Sequence, residues 1–463
     1  MKETQMEKQE SSTAKDILEM EETSMFEKAM ERYILLINTQ DKSLPVIARI
    51  LIANAKTWSD NLSEFLRAND IEEVKNEDGS VKLSIPINKA AKFQKLLKEQ
   101  NSSFESVNIA ISNIVVAIVS QYDAYLGELV RILFKINPSL LNVSNKQFPA
   151  DQIFSFGSID EFRDFLIEKE LETVLRSSHT KQIEWLEKKL GIPLTKDLKI
   201  YQSFVEITER RNLLVHANGR VSKQYISECK EHKVGDIEKI KEGCILTCNS
   251  EYARMCYSVF FEMGIKIGLV IWHKLIPSEA ETLYGFIDPI CFNLIREKKY
   301  DLALNILDFI LTPPFKKDCP YAYKLVFTIN KALVFQLKGD KQKASSIVTN
   351  LDCSAAEEIY RMAVYILKED LDSALQSMRK IGKTSNMRNA YREWPLFTTI
   401  RDTDEFKKIY QEVFEEEYQY DEIPSTDFDK LMRNAMDLYK HDCHTSKEIF
   451  EDEDESVSTV DHK

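Results

Sequence analysis

The 463-residue sequence predicts a mainly α protein made of two helical bodies, a bundle carrying a small β-hairpin and an array of helical repeats behind it. Three observations support this. Hydrophobic residues make up 43% and charged residues 30% of the chain, with only 12 Gly and 12 Pro, a composition typical of a helix-rich globular protein. Apolar residues recur at helical spacing through most segments from Phe26 onward. Finally, "LKGDKQKA" (337–344) aligns without gaps on "LKEDLDSA" (367–374) at an offset of 30 residues, which is repeat behaviour.

Residues 1–22 are polar and weakly patterned and read as a disordered tail. They lack the apolar stretch of a secretory signal, so a cytoplasmic location is expected. Helices are predicted over "FEKAMERYILLINT" and, started by Pro45, over "PVIARILIANAKTWSDNLSEFLRA". Asp78-Gly79, between two short β-type runs, predicts a hairpin at about 71–87. A helix at about 88–99 is then expected before a long apolar one closed by Asn137-Pro138. Ser158 followed by acids should cap another helix, and "SHTKQIEWLEKKLG" should form one ended by Gly191. The next is predicted over about 197–217, stopped by Asn218-Gly219. "CYSVFFEMGIKIGLVIWHKLI" carries Glu262, Lys266 and His273, and it reads as a buried core helix, not a membrane span.

The helical bundle is expected over 23–285 and the repeats over 286–420, with "KKYDLALNIL" a degenerate earlier copy. Each copy pairs two helices across a polar turn, the second carrying a small Ala, which resembles tetratricopeptide-type hairpins. The signature Trp and Gly positions of that repeat are incomplete here. "WPLFTTIRDTDEFKKIYQEVF" resembles the closing unit of such an array. Residues 421–463, with "EDEDE", read as an acidic, largely disordered tail.

The formal net charge of −13 argues against non-specific coating of nucleic acid, so any phosphate contact must be local. The eight cysteines show no CxxC pairing and read as reduced thiols. "HDCH" (His441, Asp442, Cys443, His444) lies in the acidic tail without a second ligand cluster, so no metal site is expected. No complete GxxxxGK[ST] phosphate-binding loop occurs, since Gly382-Lys383-Thr384 has Ser377 in place of the first glycine; nor does a dinucleotide-binding glycine pattern, HExxH or GxSxG, and no cofactor is expected.

The chemistry is concentrated in "EITERRNLLVHANGR", 206–220. On an ideal helix Arg211 shares a face with Phe204, Ile207, Leu214 and Val215, an otherwise apolar stripe. A guanidinium there needs a carboxylate, a dimer partner or a phosphate. Glu206 and Glu209 are the nearest carboxylates in sequence. Asn212 and His216, four apart, share an adjoining polar face. Metal-free RNA cleavage requires a group to take the 2′-OH proton, a cation for the charge on phosphorus and a group to assist the leaving 5′-oxygen. Between Arg176 and Lys223 ten Lys/Arg face five Asp/Glu, a locally positive segment.

The pattern Arg211-Asn212-Leu-Leu-Val-His216 resembles the signature of the HEPN superfamily, whose active members are metal-independent endoribonucleases. The surrounding "ERRNLLVHANGRVSKQYI", "QIEWLEKKLGIPL" and "YDAYLGELVRILF", with the apolar closing helix, extend the resemblance over about 100–275, toward stand-alone bacterial proteins of the defence and toxin class. It implies an antiparallel bundle that dimerises with two motifs facing across a two-fold axis. His216 would act as acid/base, Arg211 as the phosphate-stabilising cation and Asn212 as the orienting group. Arg210 fits a looser spacing and could replace Arg211, and Arg210, Asn218 and Arg220 are the candidate substrate-binding residues. The implied partners are single-stranded or tRNA-like RNA, a second copy of the chain and a protein on the repeats, with no membrane. The competing reading is a non-catalytic HEPN-fold dimeric scaffold.

Overall fold

The computed structural model describes residues 24–69, 71, 73–75, 81–141, 147–196, 198–349 and 351–419. The two predicted tails, Asp78-Gly79 and the His441–His444 cluster lie outside the described residues.

Helix α1 (Met25–Ala68) is continuous through Pro45, where the sequence predicted a new start. Packing of Leu44, Ala48 and Ala55 on both sides of the proline outweighs the roughly 3 kcal/mol it costs inside a helix. Two short strands, β1 (Glu73–Lys75) and β2 (Val81–Leu83), pair antiparallel with Val74 opposite Lys82. Helix α2 (Ile87–Ile136) is likewise one helix where two were predicted. The polar stretch "EQNSSFES" contains no Gly or Pro, and Ser103 and Ser106 satisfy their hydroxyls on the carbonyls of Gln100 and Ser102, one turn back.

Pairs Tyr33–Tyr125, Ser59–Gln100 and Phe65–Phe93 run in opposite directions along α1 and α2, so the two are antiparallel. After α3 (Ala150–Phe154) come α4 (Ile159–Leu175), capped by the Ser158 hydroxyl on the Glu161 amide, and α5 (His179–Leu190), ended by left-handed Gly191. Then follow α6 (Tyr201–Ala217), α7 (Lys223–Glu231) and α8 (Ser250–Leu275). Helix α8 lies against α1 and α2. Gly264 and Gly268 let it approach so closely that a Cβ at either position would overlap Tyr33 or Tyr125. The hydroxyls of those tyrosines donate to the carbonyls of Phe260 and Gly264.

By length and composition α2 and α8 could each cross a bilayer. The most apolar window of α8 is 78% buried inside the protein and that of α2 is 33% buried. Helix α8 is thus the core helix of the bundle, as its charged residues foretold.

The array continues with α9 (Ala280–Arg296), α10 (Tyr300–Ile310), α11 (Pro313–Asp318), α12 (Tyr321–Leu337), α13 (Lys341–Thr349), α14 (Glu358–Leu367), α15 (Leu371–Ile381), α16 (Ser385–Glu393) and α17 (Asp404–Phe414). The expected boundary at 285/286 falls inside α9, and one cluster of buried side chains runs from Phe26 to Phe414 across it. Three helical hairpins share one turn: Lys298, Gly339 and Glu369 all have φ between 60° and 90°. The next amides, of Lys299, Asp340 and Asp370, each donate to a carbonyl five residues back. Ala303, Ala344 and Ala374 sit buried at equivalent positions. This equivalence underlies the 30-residue offset seen in sequence.

Candidate functional site

Helix α6 enters the core at Phe204 and Ile207, both fully buried, and emerges at Val215, 48% exposed. Arg211 lies where it emerges. The apolar stripe predicted to include Val215 therefore ends one turn early.

Arg211 Nη2 donates to Asp123 Oδ2 at 3.1 Å, and its Nη1 donates to Asn212 Oδ1 at 3.2 Å. The partner of Arg211 is thus on α2, not Glu206 or Glu209 of its own helix. His179 Nε2 lies 2.7 Å from the other Asp123 oxygen, Oδ1. An ionised carboxylate only accepts, so Nε2 carries the proton in that pairing. Asn212 Nδ2 in turn donates to Glu209 Oε1 at 3.4 Å. The result is a chain of side chains from three helices, His179–Asp123–Arg211–Asn212–Glu209. Burial and neighbouring Glu228 raise the Glu209 carboxyl above its ordinary pKa, against the opposing pull of His179 and Asn212.

The guanidinium keeps chemistry in reserve. Among the described residues two of its five N–H donors are used, and Nε is buried without a hydrogen-bond partner. The Arg211 side chain remains 23% exposed and Asp123 27% exposed, so the cluster reaches the surface.

Arg210, the alternative phosphate cation, is committed elsewhere. Its Nε donates to Glu206 Oε1 at 2.7 Å, its Nη1 to the Thr247 carbonyl at 3.3 Å, and its guanidinium lies 4.2 Å from the centre of the Tyr252 ring. Glu206 also accepts the hydroxyls of Tyr225 and Tyr252 at 2.8 Å, tying α6 to α7 and α8. Burial works against the charge of Arg210, but Tyr252 and Glu206 outweigh it and keep the guanidinium charged. Arg210 is a structural clamp, because a buried carboxylate needs it.

His216 is exposed and makes no hydrogen bond among the described residues. It is not joined to Arg211 or Asn212. Asn218 caps the helix at φ 47° and Gly219 follows at φ 75°; a Cβ on Gly219 would strike the Leu246 carbonyl. Arg220 Nη1 donates to the Gly243 carbonyl at 3.1 Å and its backbone bridges to Ile245. Exposed Ile245 and Val215 flank this end of α6.

Asp123 and His179 were missed in the sequence. Asp123 had a signal, as one of two acids, with Glu128, inside the apolar run Ile111–Phe134, whereas His179, first residue of its helix, had none. Among the described residues no group of three His, Cys, Asp or Glu is placed to hold a metal. Of the two cysteines four apart, Cys244 is exposed and Cys248 buried, and burial lifts the thiol of nearby Cys229 to about 12.

Comparisons with protein-family models, with curated proteins and with solved structures find no match for this chain.

Proposed function

We propose that this protein is a HEPN-type, metal-independent endoribonuclease, active as a cytoplasmic homodimer in anti-phage defence or a toxin-like stress response. The observation that carries the reading is the state of Arg211. One side of its guanidinium is fixed by Asp123 and Asn212 while three of its donors stay unspent in a side chain that is 23% exposed, close in sequence to an exposed imidazole with no hydrogen-bond partner among the described residues. A fixed cation with unspent donors suits a phosphate whose charge grows during reaction.

In this reading the 2′-oxygen attacks phosphorus as its proton passes to one imidazole. The 5′-oxygen leaves with a proton from a second, supplied by the partner subunit's His216 across the two-fold axis. Atoms balance with 2′,3′-cyclic phosphate and 5′-hydroxyl ends as products, as the family resemblance implies. Exposed Val215 and Ile245 beside the motif suit a contact between copies. The hairpins of 280–414 suit a tetratricopeptide-like domain that receives a protein partner.

The second reading, a non-catalytic dimeric scaffold, is favoured by the pairing of Arg211 with Asp123, since structural ion pairs look the same. Incubation of the purified protein with total RNA in EDTA, beside the Arg211→Ala/His216→Ala double variant, separates the two. Motif-dependent cutting with cyclic phosphate ends supports the nuclease. Absence of cutting by a folded dimer leaves the scaffold.

A further inference from the structure

The first helices of successive hairpins, α9, α12 and α14, together with α16, enclose a pocket of about 260 Å³ well separated in sequence from the Arg211 site. Its wall includes Asp288, Phe292, Asn330, Tyr360, Glu393 and Trp394, and no Lys, Arg or His among the described residues.

The hydrogen-bonding groups of this wall are largely unspent. Asp288 Oδ1 and Trp394 Nε1 are both shielded from water and have no hydrogen-bond partner among the described residues. Asn330, 2% exposed, adds a side-chain amide to the wall. Native interiors satisfy such groups almost without exception, because each costs about 1–3 kcal/mol when left unmade. Two such atoms on one cavity, Asp288 Oδ1 and Trp394 Nε1, point to an absent ligand.

The chemistry of that ligand follows from the wall. Two carboxylates without a protein cation, beside the rings of Phe292, Tyr360 and Trp394, form a receptor for positive charge. Pockets for drug-sized ligands run roughly 300–1,000 Å³, so this one suits a single side chain better than a nucleotide. The indole N–H needs an acceptor, which a free alkylammonium lacks and a peptide carbonyl supplies.

We propose that the Asp288 pocket binds the cationic side chain of a lysine or arginine presented by a protein partner, with Asp288 as counter-ion and Asn330 as a second acceptor. Burial alone pushes the Asp288 carboxyl up to about 6, as expected of a carboxylate still waiting for a cation. The site stands whether or not Arg211 serves RNA cleavage.

The test uses the full-length protein and saturation-transfer NMR with acetyl-alanyl-lysyl-alanine amide, its norleucine counterpart and n-butylammonium. The lysyl peptide should bind at least ten-fold more tightly than either of the others. Asp288→Asn, which preserves shape, should erase the preference for charge, and Asn330→Leu should weaken it, with circular dichroism unchanged in both. Equal binding of the norleucyl peptide, or a charge preference that survives Asp288→Asn, overturns the pocket. Butylammonium binding as tightly as the peptide overturns the protein source of the cation.

Discussion

Arg211 and Asp123, 88 residues apart in sequence, meet at 3.1 Å where α6 leaves the core, and the same carboxylate takes His179 on its other oxygen. A motif arginine is therefore oriented by a helix outside its motif. If Asp123 positions Arg211, Asp123→Asn should lower RNA cleavage at least ten-fold with little change in substrate affinity. A scaffold would have no turnover to lose.

The pairing should also be measurable as stability. Asp123→Ala is expected to cost about 1–3 kcal/mol in urea unfolding, because it strands the partly buried guanidinium and imidazole. Adding Arg211→Ala should cost less than the sum of the single changes, a coupling that a double-mutant cycle reads directly.

Neighbouring arginines should behave differently. Arg210→Ala leaves buried Glu206 without its cation and should destabilise by about 2 kcal/mol or more. His216→Ala removes an exposed ring and should fall within about 0.5 kcal/mol of the parent. Cleavage lost in His216→Ala at unchanged stability is the expected outcome of a melting and activity comparison.

Asp288 sets a pH dependence. Its folded-state pKa of about 6 exceeds the ordinary 3.8, so the folded chain holds a proton that the unfolded chain releases. Its contribution to stability is therefore lost as pH rises from about 4 to 6, by up to about 3 kcal/mol. Asp288→Asn should be more stable than the parent above pH 6 and equal to it near pH 3. Glu393, Tyr360, Tyr323 and Cys291 are the titratable groups around it, and none supplies a positive charge. Urea midpoints across pH 3–8 check this.

The hairpin turns offer a last test. Glu369 holds the left-handed conformation that Gly339 holds one repeat earlier. Glu369→Gly should stabilise by about 0.5–1 kcal/mol, since glycine adopts that conformation without strain. A thermal melt shows it as a raised midpoint.

Much of this was legible in the sequence. Ser158, Gly191 and Asn218 mark their helix ends because capping is local chemistry, and the 30-residue offset marks a turn that recurs. Pro45 misled because local propensity was outweighed by packing that only the partner helix supplies. Asp123 and His179 stayed hidden because helical periodicity shows which face is buried and not which helix crosses it. Arg210 and Arg211 look alike on paper, and only the Tyr225–Glu206–Tyr252 cluster separates clamp from candidate.

The unbroken course of α2 has a mechanical consequence. Ile87, beside the β-ribbon, and Asp123 lie on one rod, about 54 Å apart at 1.5 Å per residue. With no Pro or Gly between them, the helix holds the two at a fixed spacing. The ribbon and the carboxylate that holds Arg211 are thus built on one strut, braced along its length by α1 through Phe65–Phe93, Ser59–Gln100 and Tyr33–Tyr125.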